Sequence, residues 1–147
     1  MDKNMMFFNA GGQTVHEYNA NDNLWSCLPD CPNWSSSFVV VNNTLAAIGG
    51  TKGGEYLNEV YSLKDGDSWV EEFQPMPTKC TSATSVCAES ALIVIGGVVD
   101  GATRCPIKSW AQQLTNGPPL PIFLQEDKEL RYALGIICGD RLYIQYY

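Results

Sequence analysis

Positive charge is scarce in this sequence. Nine Lys and Arg stand against sixteen Asp and Glu among 147 residues, and the formal net charge is −7. Nucleic acids and anionic membrane surfaces are bound through clustered Lys and Arg, so the sequence predicts neither as a partner. The negative charge is spread along the chain without a run of five like charges. It therefore favours a solubilising surface over an acidic binding patch.

Long apolar runs and a secretory leader are also lacking. The longest apolar stretch, Ala91–Val99, has nine residues, whereas a membrane-spanning helix needs about 18. The first eight residues, Met1–Phe8, contain no basic segment followed by an apolar one. We therefore expect a cytoplasmic protein. In that compartment the six cysteines, at positions 27, 31, 80, 87, 105 and 138, are expected to be free thiols.

Histidine is nearly missing, and so are the motifs of common catalytic sites. His16 is the single histidine, and no Cys or His pair has the spacing of a zinc site. Gly-x-Gly-x-x-Gly and phosphate-loop patterns do not occur. The sequence thus predicts no catalytic residue, no metal and no cofactor, and we expect a protein that is not an enzyme.

Internal repetition is the strongest positive feature of the chain. Three apolar segments align without gaps, Thr44–Gly50, Ala91–Gly97 and Arg141–Tyr147, and their ends are 47 and 50 residues apart. Trp25, Trp69 and Trp110 form a second series, 44 and 41 residues apart, and each is followed by a proline-rich segment. Two independent markers with one period of about 45 residues indicate a repeat architecture.

Each repeat reads as a set of short β-strands. Ser36–Val41 is rich in aromatic and β-branched residues, the pair Asn42-Asn43 is typical of a tight turn, and an apolar strand follows. A third strand at Glu59–Leu63 and a fourth that begins at Trp69 complete the unit, with no helical apolar period anywhere. The sequence predicts an all-β fold of four-stranded antiparallel units, which at this interval indicates a β-propeller.

The pattern resembles the kelch repeat. The shared features are an apolar strand that ends in Gly49-Gly50 or Gly96-Gly97, a tyrosine in the third strand (Tyr61), and a tryptophan before a Pro-x-Pro exit. The resemblance implies kelch-type propeller blades along 1–147. The predicted division is a blade lacking its first strand (4–32), a complete blade (36–77), a blade with a shortened third strand (81–121) and the first two strands of a further blade (130–147).

These units amount to about three blades, whereas propellers typically have 4–8. The sequence therefore predicts an incomplete ring. We expect it to be completed by further blades in the same longer chain or by another copy, because an isolated partial ring exposes unpaired edges and apolar blade faces.

Kelch proteins similar to this chain bind partner peptides on one face of the propeller. The loops that join strand four to strand one, and strand two to strand three, form this face. Notable examples are substrate adaptors of cullin-type ubiquitin ligases. We predict partner-binding residues by counting back from the glycine pairs, or from Tyr146, and by adding the adjoining loop. These residues are Asn33, Trp34, Lys52, Tyr56, Thr81 and Arg131. An indole on a loop is a good anchor for a partner. Trp34 is equally compatible with a hydrophobic corner between blades, and Arg131 with a solvated charge.

Three functional hypotheses follow. The first is a protein–protein interaction module that binds a partner protein or peptide, including as the substrate-recognition part of a ubiquitin ligase adaptor. The second is a structural propeller fragment that only completes a larger assembly. The third is part of a propeller hydrolase with its catalytic residues outside this chain; a copper oxidase of the kelch-like type would need several histidines, and the chain has one.

Overall fold

The structure, a computed structural model, describes residues 5–9, 11–88, 91–99, 103–104, 110–113, 133–138 and 141–146. Across these ranges the chain forms strands and no helix, which confirms the predicted all-β class. No helix in the described ranges is therefore long and apolar enough to span a bilayer. The strands are β1 (Met5–Phe8), β2 (Val15–Asn19), β3 (Leu24–Leu28), β4 (Ser37–Val41), β5 (Thr44–Lys52), β6 (Glu55–Lys64), β7 (Ser68–Glu71), β8 (Thr84–Ala88), β9 (Ala91–Ile95), β10 (Val98–Val99), β11 (Thr103–Arg104), β12 (Trp110–Gln113), β13 (Ala133–Cys138) and β14 (Arg141–Tyr146).

The strands pair antiparallel in separate small sheets. Sheet 1 has the order β1-β2-β3, sheet 2 the order β4-β5-β6-β7, sheet 3 the order β12-β9-β8, and sheet 4 the pair β13-β14, with a short β10-β11 hairpin besides. Sheet 2 is thus an up-and-down meander of four consecutive strands. The described residues form no closed barrel or ring, so the propeller and its number of blades stay predictions.

Sheet 3 differs from the strand order that the sequence suggested. The repeat pattern aligns Trp110 with Trp69, which lies in the fourth strand of sheet 2, but β12 pairs directly with β9, and Trp110 lies opposite Val94. Trp110 follows Gly97 by 13 positions, whereas Trp69 follows Gly50 by 19. Within this shorter connection, β10 and β11 pair with each other as a separate two-stranded hairpin.

Tight turns in sheet 2 follow directly from local sequence. Asn42 (φ 47°) and Asn43 (φ 62°) join β4 to β5 in a two-residue turn with both residues in the left-handed region. Asparagine tolerates this region better than other non-glycine residues, and the turn matches the twist of paired strands. The predicted turn at 42–43 is therefore present, and it fixes the register of β4 against β5.

The sheets stack face to face through two apolar clusters. One cluster joins sheet 1 to sheet 2 and contains Val15, Cys31, Leu45, Ala47 and Leu63, with Phe7, Leu28, Phe38, Tyr61 and Trp69 packed against it. The other joins sheet 2 to sheet 3 and includes Val41, Ala46, Ile48, Val60, Leu92 and Val94. The first strands lie side by side, since β4 contacts β8 and β8 contacts β13. The Ser37 and Ser85 hydroxyls, 2.6 Å apart, join β4 to β8.

The glycine pairs lie where the backbone of a neighbouring loop passes β5 or β9. Gly49 (φ 59°) and Gly50 (φ 105°) form a bulge, and Gly50 N donates to the Cys80 carbonyl at 2.9 Å. Gly97 (φ 97°) has the same role in the next unit, where an added Cβ would lie 2.9 Å from the Thr81 carbonyl. Glycine is required at these positions because both the φ angle and the close approach exclude a side chain.

The cysteines differ strongly in accessibility. No disulfide joins any of the described cysteines at positions 27, 31, 80 and 87. Cys31 is fully buried, and burial raises the pKa of its thiol. Cys27 is exposed on β3, with Sγ 3.5 Å from Nδ1 of His16.

We expect Cys27 to be alkylated by iodoacetamide in the folded protein and Cys31 to react only after unfolding. The reagent needs both access and the thiolate, and Cys31 is deficient in both. Peptide mapping by mass spectrometry after timed alkylation, with and without urea, measures the two rates separately. Equal rates for the two thiols under native conditions would contradict the structure.

Candidate functional site

The loop edge of sheet 2 brings together two of the predicted partner-binding residues. Trp34 N donates to the Thr51 carbonyl at 2.8 Å, and Thr51 N donates back to the Trp34 carbonyl at 2.7 Å. Thr51 is also the register partner of Tyr56 across the β5-β6 hairpin. Directly opposite residues of antiparallel strands share a face. Trp34, Thr51 and Tyr56 therefore form one row, here called the Trp34 row.

The Trp34 side chain is exposed on a fixed backbone. Its relative accessibility is 54%, although both its N–H and its carbonyl are hydrogen-bonded to Thr51. A hydrophobic corner between sheets would bury the indole, so the geometry of this position is that of a presented side chain. Tyr56, at the other end of the row, is half-buried.

Lys52 lies beside the Trp34 row at the tip of the hairpin. It is exposed and is the register partner of Glu55, with Gly53 and Gly54 forming the turn between them. Because neighbouring residues of a strand point to opposite faces, Lys52 faces away from Thr51. Its charge therefore lies on the opposite face of the hairpin, beside the exposed Glu55.

Asn33 and Thr81 belong to the framework of the loops. Asn33 is only 1% exposed, and its Nδ2 donates to the Gly49 carbonyl at 3.0 Å. Thr81 is 9% exposed, and its hydroxyl donates to the Ser35 carbonyl at 3.1 Å. The structure therefore places these two predicted contact residues where they hold the backbone. Arg131 lies outside the described residues.

The loops of successive sheets are built alike and are joined to each other. The Trp34–Thr51 bridge recurs as a Thr81–Val98 bridge, 47 residues further along the chain. Ser35 (φ 52°) and Ser82 (φ 54°) share one left-handed conformation, and Ser82 N donates to the Ser35 carbonyl at 3.3 Å. Repetition of the loop geometry explains why counting in the sequence found Trp34 and Thr81 together.

Sequence reasoning missed Gly11 as part of this ladder. Its carbonyl accepts hydrogen bonds from Ser35 N at 3.0 Å and from Ser35 Oγ at 3.1 Å. A signal was available, because Gly11-Gly12 precedes Tyr18 and Trp25 in the order in which Gly49-Gly50 precedes Tyr61 and Trp69. The ladder holds the loops of sheets 1, 2 and 3 in fixed relative positions.

An ion pair lies at the end of sheet 2 opposite the Trp34 row, near the turn between β6 and β7. Within the described residues no three His, Cys, Asp or Glu side chains are grouped so that they could hold a metal ion. The ion pair joins Lys64 Nζ to Glu72 Oε1 at 2.6 Å, and the buried Ser62 hydroxyl donates to Glu72 Oε2 at 2.6 Å. The Lys64 hydrogen bond and then the Ser62 hydroxyl lower the pKa of Glu72. These bonds tie the end of β7 to β6.

No protein-family model matches the sequence, and no curated protein matches it either. The resemblance to kelch repeats therefore rests on the chain's own periodic features.

Proposed function

We propose that this chain is a protein-binding module whose sheets are blades of a kelch-type propeller. Its partner, a protein or peptide, docks on the loop edge at the Trp34 row. The observation that carries the proposal is the exposure of the Trp34 indole on a backbone held by two hydrogen bonds. A role in substrate recognition for a ubiquitin ligase follows from the resemblance and forms part of this proposal.

The energetics favour an anchor at Trp34. Tryptophan is the residue type most enriched among binding hot spots, because it buries a large apolar area and keeps an N–H for a partner carbonyl. A fixed backbone reduces the ordering entropy lost on binding.

A displayed library of random peptides tests the proposal. We expect peptides selected on the wild-type protein to bind Trp34→Ala about 30-fold or more weakly, the range of a hot-spot residue. The matched control is Trp25→Ala, because Trp25 is 60% exposed but lies on β3, away from the loop edge. Affinities from fluorescence anisotropy, with melting temperatures for both variants, measure the effect. Equal affinity for Trp34→Ala and the wild type would reject the proposed site.

A second candidate function, completion of a larger assembly, is supported by the uncovered face of sheet 1. Met6, Tyr18 and Trp25 are register partners and so share a face, on which Met6 is 58% and Trp25 60% exposed. The corresponding face of sheet 2, with Trp69, packs against sheet 1. If assembly is the whole function, we expect Trp25→Ala to change the sedimentation coefficient of the protein. Trp34→Ala should leave the sedimentation coefficient unchanged. No arrangement of the described residues favours the hydrolase hypothesis.

A further inference from the structure

An open groove of about 420 Å³ lies between sheet 1 and the start of sheet 2. On the side of sheet 1, its walls include Phe7 and Phe8 of β1 and the following residue, Asn9. On the side of sheet 2, they include Ser35 and Ser36 of the loop before β4, and Phe38 of β4. No Lys, Arg, Asp or Glu belongs to the lining of this groove. Its occupant is therefore expected to be uncharged.

The groove borders a strand edge that has no partner strand among the described residues. β1 pairs with β2 on one side only, whereas the equivalent strands β5 and β9 each pair with a first strand, β4 or β8, as well. First strands also contact each other, as β4 and β8 do. A first strand added to β1 would thus pair with β1 and touch β4, and these are the two strands that line the groove.

The chemistry of the groove matches the first strands of this chain. Its loop end carries the polar groups Asn9, Ser35 and Ser36, while Phe7, Phe8 and Phe38 supply apolar surface. The first strands of sheets 2 and 3, β4 and β8, have the same polarity in sequence. Hydroxyl residues come first and apolar residues follow, as in Ser-Ser-Phe-Val-Val-Val (36–41) and Thr-Ser-Val (84–86).

We propose that this groove binds an extended, uncharged peptide strand of a separate polypeptide, with hydroxyl residues first and aromatic or β-branched residues after them. The strand pairs antiparallel with the free edge of β1, because first strands run antiparallel to second strands in sheets 2 and 3. This orientation places its hydroxyls beside Asn9 and Ser35. Main-chain hydrogen bonds provide affinity and the phenylalanine side chains select the sequence, as in other cases of strand addition. The site is separate from the Trp34 row.

A fluorescently labelled peptide with the sequence of residues 36–41 and a two-lysine tail is the probe, with a scrambled peptide of the same composition as control. We expect saturable binding of the first peptide in fluorescence anisotropy, and binding about tenfold or more weaker for the scrambled one. N-methylation of alternate amides gives two further peptides. We expect only one of these two peptides to lose binding, namely the peptide whose methylated amides lie on the edge that faces β1. Methylation removes the N–H groups that would donate to the main chain of β1.

Two exposed side chains on the same face of β1 provide matched variants. Phe8 (57% exposed) lines the groove, whereas Met6 (58% exposed) does not. We expect Phe8→Ser to weaken binding about tenfold, above the cost of about 1 kcal/mol that most truncated interface residues do not reach, and Met6→Ser to leave it unchanged. Trp34→Ala should also leave it unchanged, which separates this proposal from the one above.

Protection of the β1 amides against hydrogen exchange on addition of the peptide is a second measurement, independent of the variants. Any of three results would overturn the proposal: equal binding of the scrambled peptide, equal binding of the two N-methylated peptides, or no change in β1 exchange. Equal loss of binding for Met6→Ser and Phe8→Ser would show adhesion to the exposed face of sheet 1, and would overturn it too.

Discussion

Replacement of Gly50 by alanine lowers the free energy of unfolding by about 3 kcal/mol or more. A φ of 105° is strained for any residue with a side chain, which contributes about 1–3 kcal/mol. The added Cβ would also collide with the Trp34 carbonyl and lie 2.7 Å from Ser36 Oγ. Neither neighbour can retreat freely, because the Trp34 carbonyl accepts from Thr51 N and the Ser36 hydroxyl donates to the Gly49 carbonyl.

Gly54→Ala separates these two effects. Gly54 also has a positive φ, 87°, but nothing lies within 4 Å of its added Cβ. We expect it to retain only the backbone strain, about 1 kcal/mol. Urea unfolding followed by tryptophan fluorescence measures both variants. If Gly50→Ala lowers the free energy of unfolding no more than Gly54→Ala does, the loop that contains Trp34 and Ser36 does not pass as close to Gly50 as in the structure.

Replacement of Trp69 by alanine lowers the free energy of unfolding by about 3–4 kcal/mol, the usual range for a large aromatic residue in a packed cluster. Trp69 packs against the cluster between sheets 1 and 2, and its ring lies 6.1 Å from that of Phe38 at an angle of 64°. Its indole Nε1 also donates to the Pro29 carbonyl at 2.9 Å, which ties sheet 2 to the exit of sheet 1. The substitution therefore affects a contact between sheets rather than one strand.

Two further variants give this prediction its contrast. Trp69→Phe keeps most of the packing and loses the hydrogen bond, so we expect a loss of about 1 kcal/mol. Trp25→Ala alters an indole that is 60% exposed and mainly stacks on Tyr18, with ring centres 5.0 Å apart, and we expect a loss of about 1 kcal/mol or less. Chemical denaturation of the three variants decides between the positions. Similar losses for Trp25→Ala and Trp69→Ala would contradict the observed burial.

Much of the sheet architecture could be predicted from sequence because its signals are local. The asparagine pair at 42–43 specifies a turn, and the continuous apolar run after it indicates the strand β5, which is buried on both faces. Sheet 3 shows the limit of such reasoning. A short connection before Trp110 indicates an irregular third strand, but it does not say which neighbour β12 will choose, since that choice depends on contacts between distant segments.

The candidate site shows a similar division. Counting from the glycine pairs locates the loop positions, and the structure brings Trp34 and Tyr56 into one row. Counting cannot tell which way a side chain points. Asn33 points inward and donates to the Gly49 carbonyl together with Ser36 Oγ. Thr81 donates to the Ser35 carbonyl together with Ser82 N. These hydrogen bonds arise from the three-dimensional path of the loops, which the residue types alone do not reveal.

The stacking of the sheets also affects how readily each of the first two sheets opens. Sheet 2 shares one apolar cluster with sheet 1 and another with sheet 3, whereas sheet 1 exposes the face that carries Met6 and Trp25. In arrays whose units contact only their neighbours, local stability is the sum of the unit and its interfaces. Among sheets 1 and 2, we therefore expect local opening to begin in sheet 1, because sheet 2 has an apolar interface on each side.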